Sequence, residues 1–204
     1  MVLQSYNILE TEQEPEFEEL TREAKEVFGV PIAVVSIVDM GRQWFKSVQG
    51  LDAEETPRDG AFCAHVVQRR AKDGILEVKD ATKDFRFEDN PLVVGGPKIR
   101  YYAGAPLRSP EGKILGSFCI IDMVPNPKGL SSREKQRLVS FAEMAVYNMI
   151  TRGYDHGQRR GRELRTRQFI YTLKNLMSLS SLPLTYFSLI ELHPMDNSIT
   201  YVVH

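Results

Sequence analysis

The chain has 204 residues, 42% of them apolar and 26% charged, with a formal net charge of −1. This suits one compact domain plus an appendage, with enough apolar residues for a core. No apolar run approaches the roughly 18 residues of a membrane span, the charge gives no general pull toward nucleic acid or acidic lipid, and the polar, acidic residues 1–14 are not expected to act as a secretory signal.

In chain order, Pro15–Phe28 is predicted to be the first helix. Pro15 fits the first helical turn, and Glu14, Glu16, Glu18 and Glu19 complement the positive end of the helix dipole. Phe17, Leu20, Ala24, Val27 and Phe28 recur at helical spacing, and Gly29 ends the run. Residues 31–39 (PIAVVSIVD) form a short, β-branched, nearly continuous apolar run, the pattern of a central strand covered on both faces. After a turn at Met40 and Gly41, residues 43–48 complete a hairpin. Residues 50–59 read as a loop, 60–69 as a short helix carrying Cys63 and His65, and 75–78 as a short strand. The stretch 80–97 is rich in Asp, Asn, Gly and Pro, and is expected to be a structured surface loop with one helical turn.

Residues 100–107 and 114–122 read as a strand pair turned by Ser109-Pro110-Glu111-Gly112. The clearest helix is 131–147. Ser131 and Glu134 make a capping box, Leu138, Phe141, Ala142, Ala145 and Met149 line one face, and Val139, Val146 and Ile150 widen it. The helix either continues to about residue 179 or breaks at Gly153, Gly157 or Gly161. Residues 151–204 hold seven Lys/Arg against four Asp/Glu, leaving −4 for residues 1–150. Most of that excess lies between Arg159 and Arg167 and reads as a solvated helix or linker rather than a nucleic-acid patch. Residues 186–192 and 199–203 look like two strands. A lone hairpin is marginal in water, so the chain is expected either to be cut early in a second domain or to dock its tail on the first. The division expected is 1–152 for the domain, 153–180 for a basic helical linker, and 181–204 for a hairpin or the start of a truncated second domain.

This order implies an α+β fold: a central antiparallel sheet with the terminal helices on one face and a short helix plus long loop over a pocket on the other. At this point the residues resemble the GAF domain family, especially members fused to histidine kinases and nucleotide cyclases. The likeness rests on PIAVVSIVD at 31–39, RQWFKS at 42–47, TPR at 56–58 and FCAH at 62–65. It continues with DATKDFRFEDN at 80–90, RYYAGAPL at 100–107 and LGSFCIID at 115–122. With its flanking helices it covers roughly residues 5–150. The resemblance implies a sheet with a helical layer on one face and a small-molecule pocket or dimer-transmitting surface on the other.

Three chemistries known in that family fit poorly. The cyclic-GMP-binding subgroup carries Asn-Lys, then Phe, then Asp-Glu; Lys83-Asp84-Phe85 and Glu88-Asp89 echo it without the order. Bilin-binding members use a Cys directly followed by His, whereas Ala64 separates Cys63 from His65. Reduction of free methionine sulfoxide uses several cysteines, because an attacking thiolate needs a resolving thiol within reach; here there are only Cys63 and Cys119. Those two suit a reduced compartment, although their spacing does not exclude one bridge. Cys63, His65 and Cys119 lack zinc-site spacing, His156, His193 and His204 fall outside the expected core, and neither a nucleophile elbow nor a phosphate loop is present.

A pocket lined by Trp44, Phe62, Cys63, His65, Arg100 and Tyr102 is therefore the site expectation. Trp44 and Phe62 could equally be plain core, and Arg58, Asp84 and Arg86 an ion-pair network tying the long loop to the sheet. The function expected is that of a regulatory, sensory domain, not an enzyme. It would bind a small molecule or partner and signal through its terminal helices to a fused or partner kinase or cyclase, as a cytoplasmic homodimer. No cofactor is identified. The alternatives are a structural dimerisation domain without ligand and, less favoured, a thiol-dependent reductase.

Overall fold

The computed structural model describes residues 8–68, 74–155, 189–192 and 199–202. Helix α1 (Pro15–Phe28) begins with Pro15 at a position where a missing N–H costs nothing. It ends on Gly29 in the left-handed conformation, φ 61°, whose N–H bonds back to Lys25. Glu14 stands at its N-cap but makes no capping bond; its carboxylate is used elsewhere.

Strands β1 (Ile32–Val38), β2 (Arg42–Gln49), β3 (Glu55–Pro57), β4 (Leu76–Val78), β5 (Tyr101–Arg108) and β6 (Ile114–Asp122) form an antiparallel sheet in the order β3-β2-β1-β6-β5-β4. The two long central strands, β1 and β6, are buried along nearly all their length, as the continuous apolar runs required. One face packs under α1 and the long helix α4 (Ser132–Asp155), with Phe17, Leu20, Val35, Ile37, Phe118, Leu138 and Phe141 in the core between them. The other face carries the short helix α2 (Phe62–Gln68) and the segment 80–97, around Val34, Phe62, Phe87, Tyr102 and Cys119. This is the α+β architecture expected.

Where the structure departs from the sequence reading, the reasons are local. The segment 50–59 is not all loop, because β3 pairs three residues with Arg42, Gln43 and Trp44. Such a short edge strand tolerates Pro57, which has no N–H to give a neighbour. The long segment 80–97 contains a 3-10 turn (Ala81–Lys83) and a second short helix, α3 (Pro91–Val94). Two Asx caps order it: Asp80 accepts from the Thr82 N–H and Asn90 from the Leu92 N–H.

Helix α4 does start with the capping box. Ser131 Oγ accepts from the Glu134 N–H, and the Glu134 carboxylate accepts from the Ser131 N–H at 2.7 Å. It runs past Tyr147 to Asp155. The expected linker beyond it, including Arg159–Arg167, lies outside the described residues. Strands β7 (Leu189–Leu192) and β8 (Ile199–Val202) pair antiparallel as a hairpin.

Candidate ligand-binding site

Strand alternation decides which side chains reach the face under α2. On β2, Gln43 and Phe45 point to that face, while Trp44 joins the core beneath α1 and α4. A bulge follows: Ser36 faces Phe45 and Val35 faces Ser47, so Lys46 has no opposite partner. The extra residue puts Lys46 and Ser47 together on the helix side. Lys46 Nζ donates to Thr11 Oγ1 and to the Glu12 carbonyl, and the Ser47 hydroxyl pairs with that of Thr21 at 2.7 Å.

On the opposite face a cavity of about 270 Å³ opens between the sheet, α2, the β2–β3 connection and the Gly96–Pro97 turn. Its floor is Val34, Phe45, Tyr102, Cys119 and Ile121. Among the described residues, no charged side chain lines it. Its wall includes Gln43, only 7% exposed, and Thr56; Gln43 Oε1 and Thr56 Oγ1 are both buried without a hydrogen-bond partner. Buried polar atoms are nearly always satisfied, and an orphan costs about 1–3 kcal/mol.

Phe62, the first residue of α2, stacks on Phe87 with centroids 4.0 Å apart and on Tyr102 at 5.0 Å. Phe87 comes from the segment 80–97, which is held in place from outside. Arg86 forms a two-pronged pair with Asp84, and its guanidinium stands over the Phe87 ring. Asn90 Nδ2 donates to the Gly60 carbonyl just before α2.

Below Phe62 lies a polar cluster at the cavity floor. The Tyr102 hydroxyl donates to Cys63 Sγ at 3.3 Å and contacts Ser117 Oγ at 3.4 Å. The ring can lie along the strand only because residue 104 is glycine, since a Cβ there would sit 2.3 Å from the Tyr102 oxygen. Cys63 Sγ is 3.7 Å from Cys119 Sγ. Burial opposes ionisation of Cys63, but hydrogen bonds from Cys119, Ser117 and Tyr102 outweigh it and bring the thiol down to about 7. The bond to Cys63, together with burial, pushes the Cys119 thiol up, so the two titrate as a pair.

Of the six expected site residues, Phe62, Cys63 and Tyr102 line the cavity. Three do not. Trp44 is on the helix side of β2. His65 packs edge-on against Phe87, 4.9 Å between centroids, and burial together with Arg86 lowers its pKa. Arg100 donates to the Val93 and Ile99 carbonyls and so anchors α3. The expected network is also smaller: Asp84 and Arg86 pair, but Arg58 instead donates to the carbonyls of Asp39 and Met40. Gln43, Phe45 and Thr56 went unselected, because nothing in the mixed sequence RQWFKSVQ marks which of its polar residues is buried.

The GAF domain profile matches residues 13–147, most of the described chain. The chain belongs to the GAF domain family. A cyclic di-GMP phosphodiesterase of Pseudomonas aeruginosa is 44% identical to this GAF protein over 144 residues, 71% of this chain but only 24% of the relative. Among solved structures, the type II free methionine-R-sulfoxide reductase of Thermoplasma acidophilum superposes with a TM-score of 0.53 at 15% identity, over 67% of this chain and 91% of that one. The blue-light absorbing form of the PixJ GAF domain of Thermosynechococcus elongatus gives 0.51 at 15% identity, over 85% and 94%. At such identities these GAF-type structures share the fold alone.

Proposed function

We propose that this GAF domain is the sensory module of a larger cytoplasmic signalling protein, and that it binds a small, uncharged, mainly apolar molecule in the cavity over the sheet. The observation that carries this reading is the pair of partnerless buried oxygens, Gln43 Oε1 and Thr56 Oγ1, in the wall of a mainly apolar cavity. A ligand with a donor group toward them would remove that cost, while its apolar body gains about 25 cal/mol per Å² buried. A phosphate-bearing ligand would shed its water with no cation among the described lining residues to meet it, which costs several kcal/mol. A cyclic nucleotide is therefore a poor fit to this cavity, even where the regulated output handles one.

Occupancy is read through β2. That strand offers Gln43 and Phe45 to the cavity and Trp44 and Lys46 to the helices. Lys46 pairs with Glu14 at 3.4 Å, and Glu14 also pairs with Arg152 near the end of α4. A shift of β2 therefore acts on the start of α1 and the end of α4 together, provided that the ligand favours one of two arrangements. A homodimer formed through these terminal helices would pass the bias to the output. The phosphodiesterase relative supports an output in cyclic-dinucleotide signalling, alongside the kinase and cyclase outputs of the wider family.

Native mass spectrometry of the full chain tests the reading. The wild-type protein should retain a non-covalent mass that Ala53→Phe, which fills the cavity wall, does not. Wild-type protein that is empty but dimeric would instead favour a purely structural dimerisation domain.

A further inference from the structure

Cys63 and Cys119 are 56 positions apart, yet α2 and β6 bring their sulfurs to 3.7 Å. Both are free thiols, both are buried, and both line the cavity. Around them stand the Tyr102 and Ser117 hydroxyls, and on β5 Gly104 lies opposite Cys119 and leaves space for the Tyr102 ring. Two thiols at van der Waals distance, with hydroxyl donors beside them and an opening large enough for a small molecule, form more than a packing contact. We propose that Cys63 and Cys119 are an oxidisable dithiol, closed to an intrachain disulfide by an uncharged hydroperoxide that enters the cavity.

The chemistry balances in two steps. The Cys63 thiolate attacks the distal oxygen of the hydroperoxide, the O–O bond breaks, Cys63 becomes a sulfenic acid, and the alkoxide or hydroxide leaving group takes up a proton. Cys119 then attacks the Cys63 sulfur, the new S–S bond forms, and the sulfenic oxygen leaves as water with the Cys119 proton. The thiols lose two electrons and the peroxide gains them. Cys63 is the attacking sulfur because hydrogen bonds from Cys119, Ser117 and Tyr102 favour its thiolate against burial, whereas Cys119 holds its proton. Closing the gap to about 2 Å asks for less than about 2 Å of sulfur movement. The product pins α2 to the centre of the sheet, narrows the cavity floor and takes from Tyr102 one of its two partners. This chemistry is independent of whether the cavity also senses a ligand, and it is read out separately.

The test exposes the full chain to hydrogen peroxide and, in parallel, to an alkyl hydroperoxide, followed by intact mass and non-reducing peptide mapping. Wild-type protein should lose the mass of two hydrogens and give one cross-linked peptide pair, Cys63 with Cys119, that a thiol reductant reverses. Cys119→Ser should stop at the first step, with one added oxygen on Cys63 that dimedone traps. Cys63→Ser should leave Cys119 a thiol. Tyr102→Phe should slow closure by about tenfold, the loss of one hydrogen bond to a charged group, and move the pH midpoint of the rate upward. Closure by either peroxide supports the proposal, and the faster of the two identifies the oxidant. Cysteines that remain fully alkylatable after both treatments, cross-links only between chains, or equal oxidation of the two serine variants would overturn it.

Discussion

Gln43 and Thr56 are expected to destabilise the empty protein, because a buried oxygen without a donor keeps its full desolvation cost. Gln43→Leu should therefore raise the unfolding free energy of ligand-free protein by about 1 kcal/mol in urea titrations, while abolishing ligand retention. A loss of stability would mean that the amide is satisfied. Gly104→Ala should cost about 2 kcal/mol, since the new methyl would drive the Tyr102 ring out of its place beside Cys63. Asp84 supplies a pH signature. Its bonds from Arg86 hold its carboxyl below the usual value of 3.8, so this stabilisation is complete above that value and is lost as pH falls through the depressed one. Denaturation of wild type and Asp84→Asn should give curves that differ at neutral pH and converge as pH falls through the depressed value; a constant gap would contradict the assignment.

At this scale the sequence was only partly legible. Phe62, Cys63 and Tyr102 could be selected because aromatic and thiol side chains in apolar surroundings stand out. Trp44 stood out for the same reason and points the other way. A strand buried on both faces carries no hydrophobic alternation to say which side is which, and the bulge at Lys46 reverses the phase in mid-strand.

At the scale of elements, α4 is fastened at both ends. Glu77 on the edge strand β4 accepts from the Leu130 N–H at 2.6 Å and pairs with Lys135 at 3.0 Å. At the other end Glu14 joins Lys46 on β2 to Arg152. Lys46 is fully buried; burial lowers its pKa and Glu14 opposes the shift. Lys46→Met should cost about 2 kcal/mol, because the Thr11 hydroxyl and the Glu12 carbonyl lose a charged donor. It should also uncouple cavity occupancy from α4, seen as ligand binding without a change in helix protection. Elements were the most legible part of the sequence. The helix of Pro15–Phe28 matches its expected limits because Pro15 and Gly29 bracket it, and the strand of Ile114–Asp122 closely matches its own because the Pro110–Gly112 turn sets its start. The edge strand β3 escaped because three residues hold no period, while the segment 80–97, expected to hold one helical turn, contains a 3-10 turn as well as α3.

For the whole molecule, the antiparallel sheet has two unlike faces. One is a closed core under α1 and α4, the other an open one that keeps a cavity beneath α2 and the segment 80–97. The packed face carries the helices, and the other face holds the cavity to which the proposed ligand is assigned. The family and the fold were readable because many short stretches occur in the right order over residues 13–147. The regulated output was not readable, because no residue of this domain names the output that the proposed signal would reach.

The most direct test is hydrogen exchange on the ligand-stripped full chain, with and without the small-molecule extract released from natively purified protein. The account predicts slower exchange in Gln43–Phe45, at the first turn of α1 and in the last turns of α4 near Arg152, and none of these changes in Lys46→Met beyond β2. Protection confined to the cavity wall, or no protection anywhere, would contradict it.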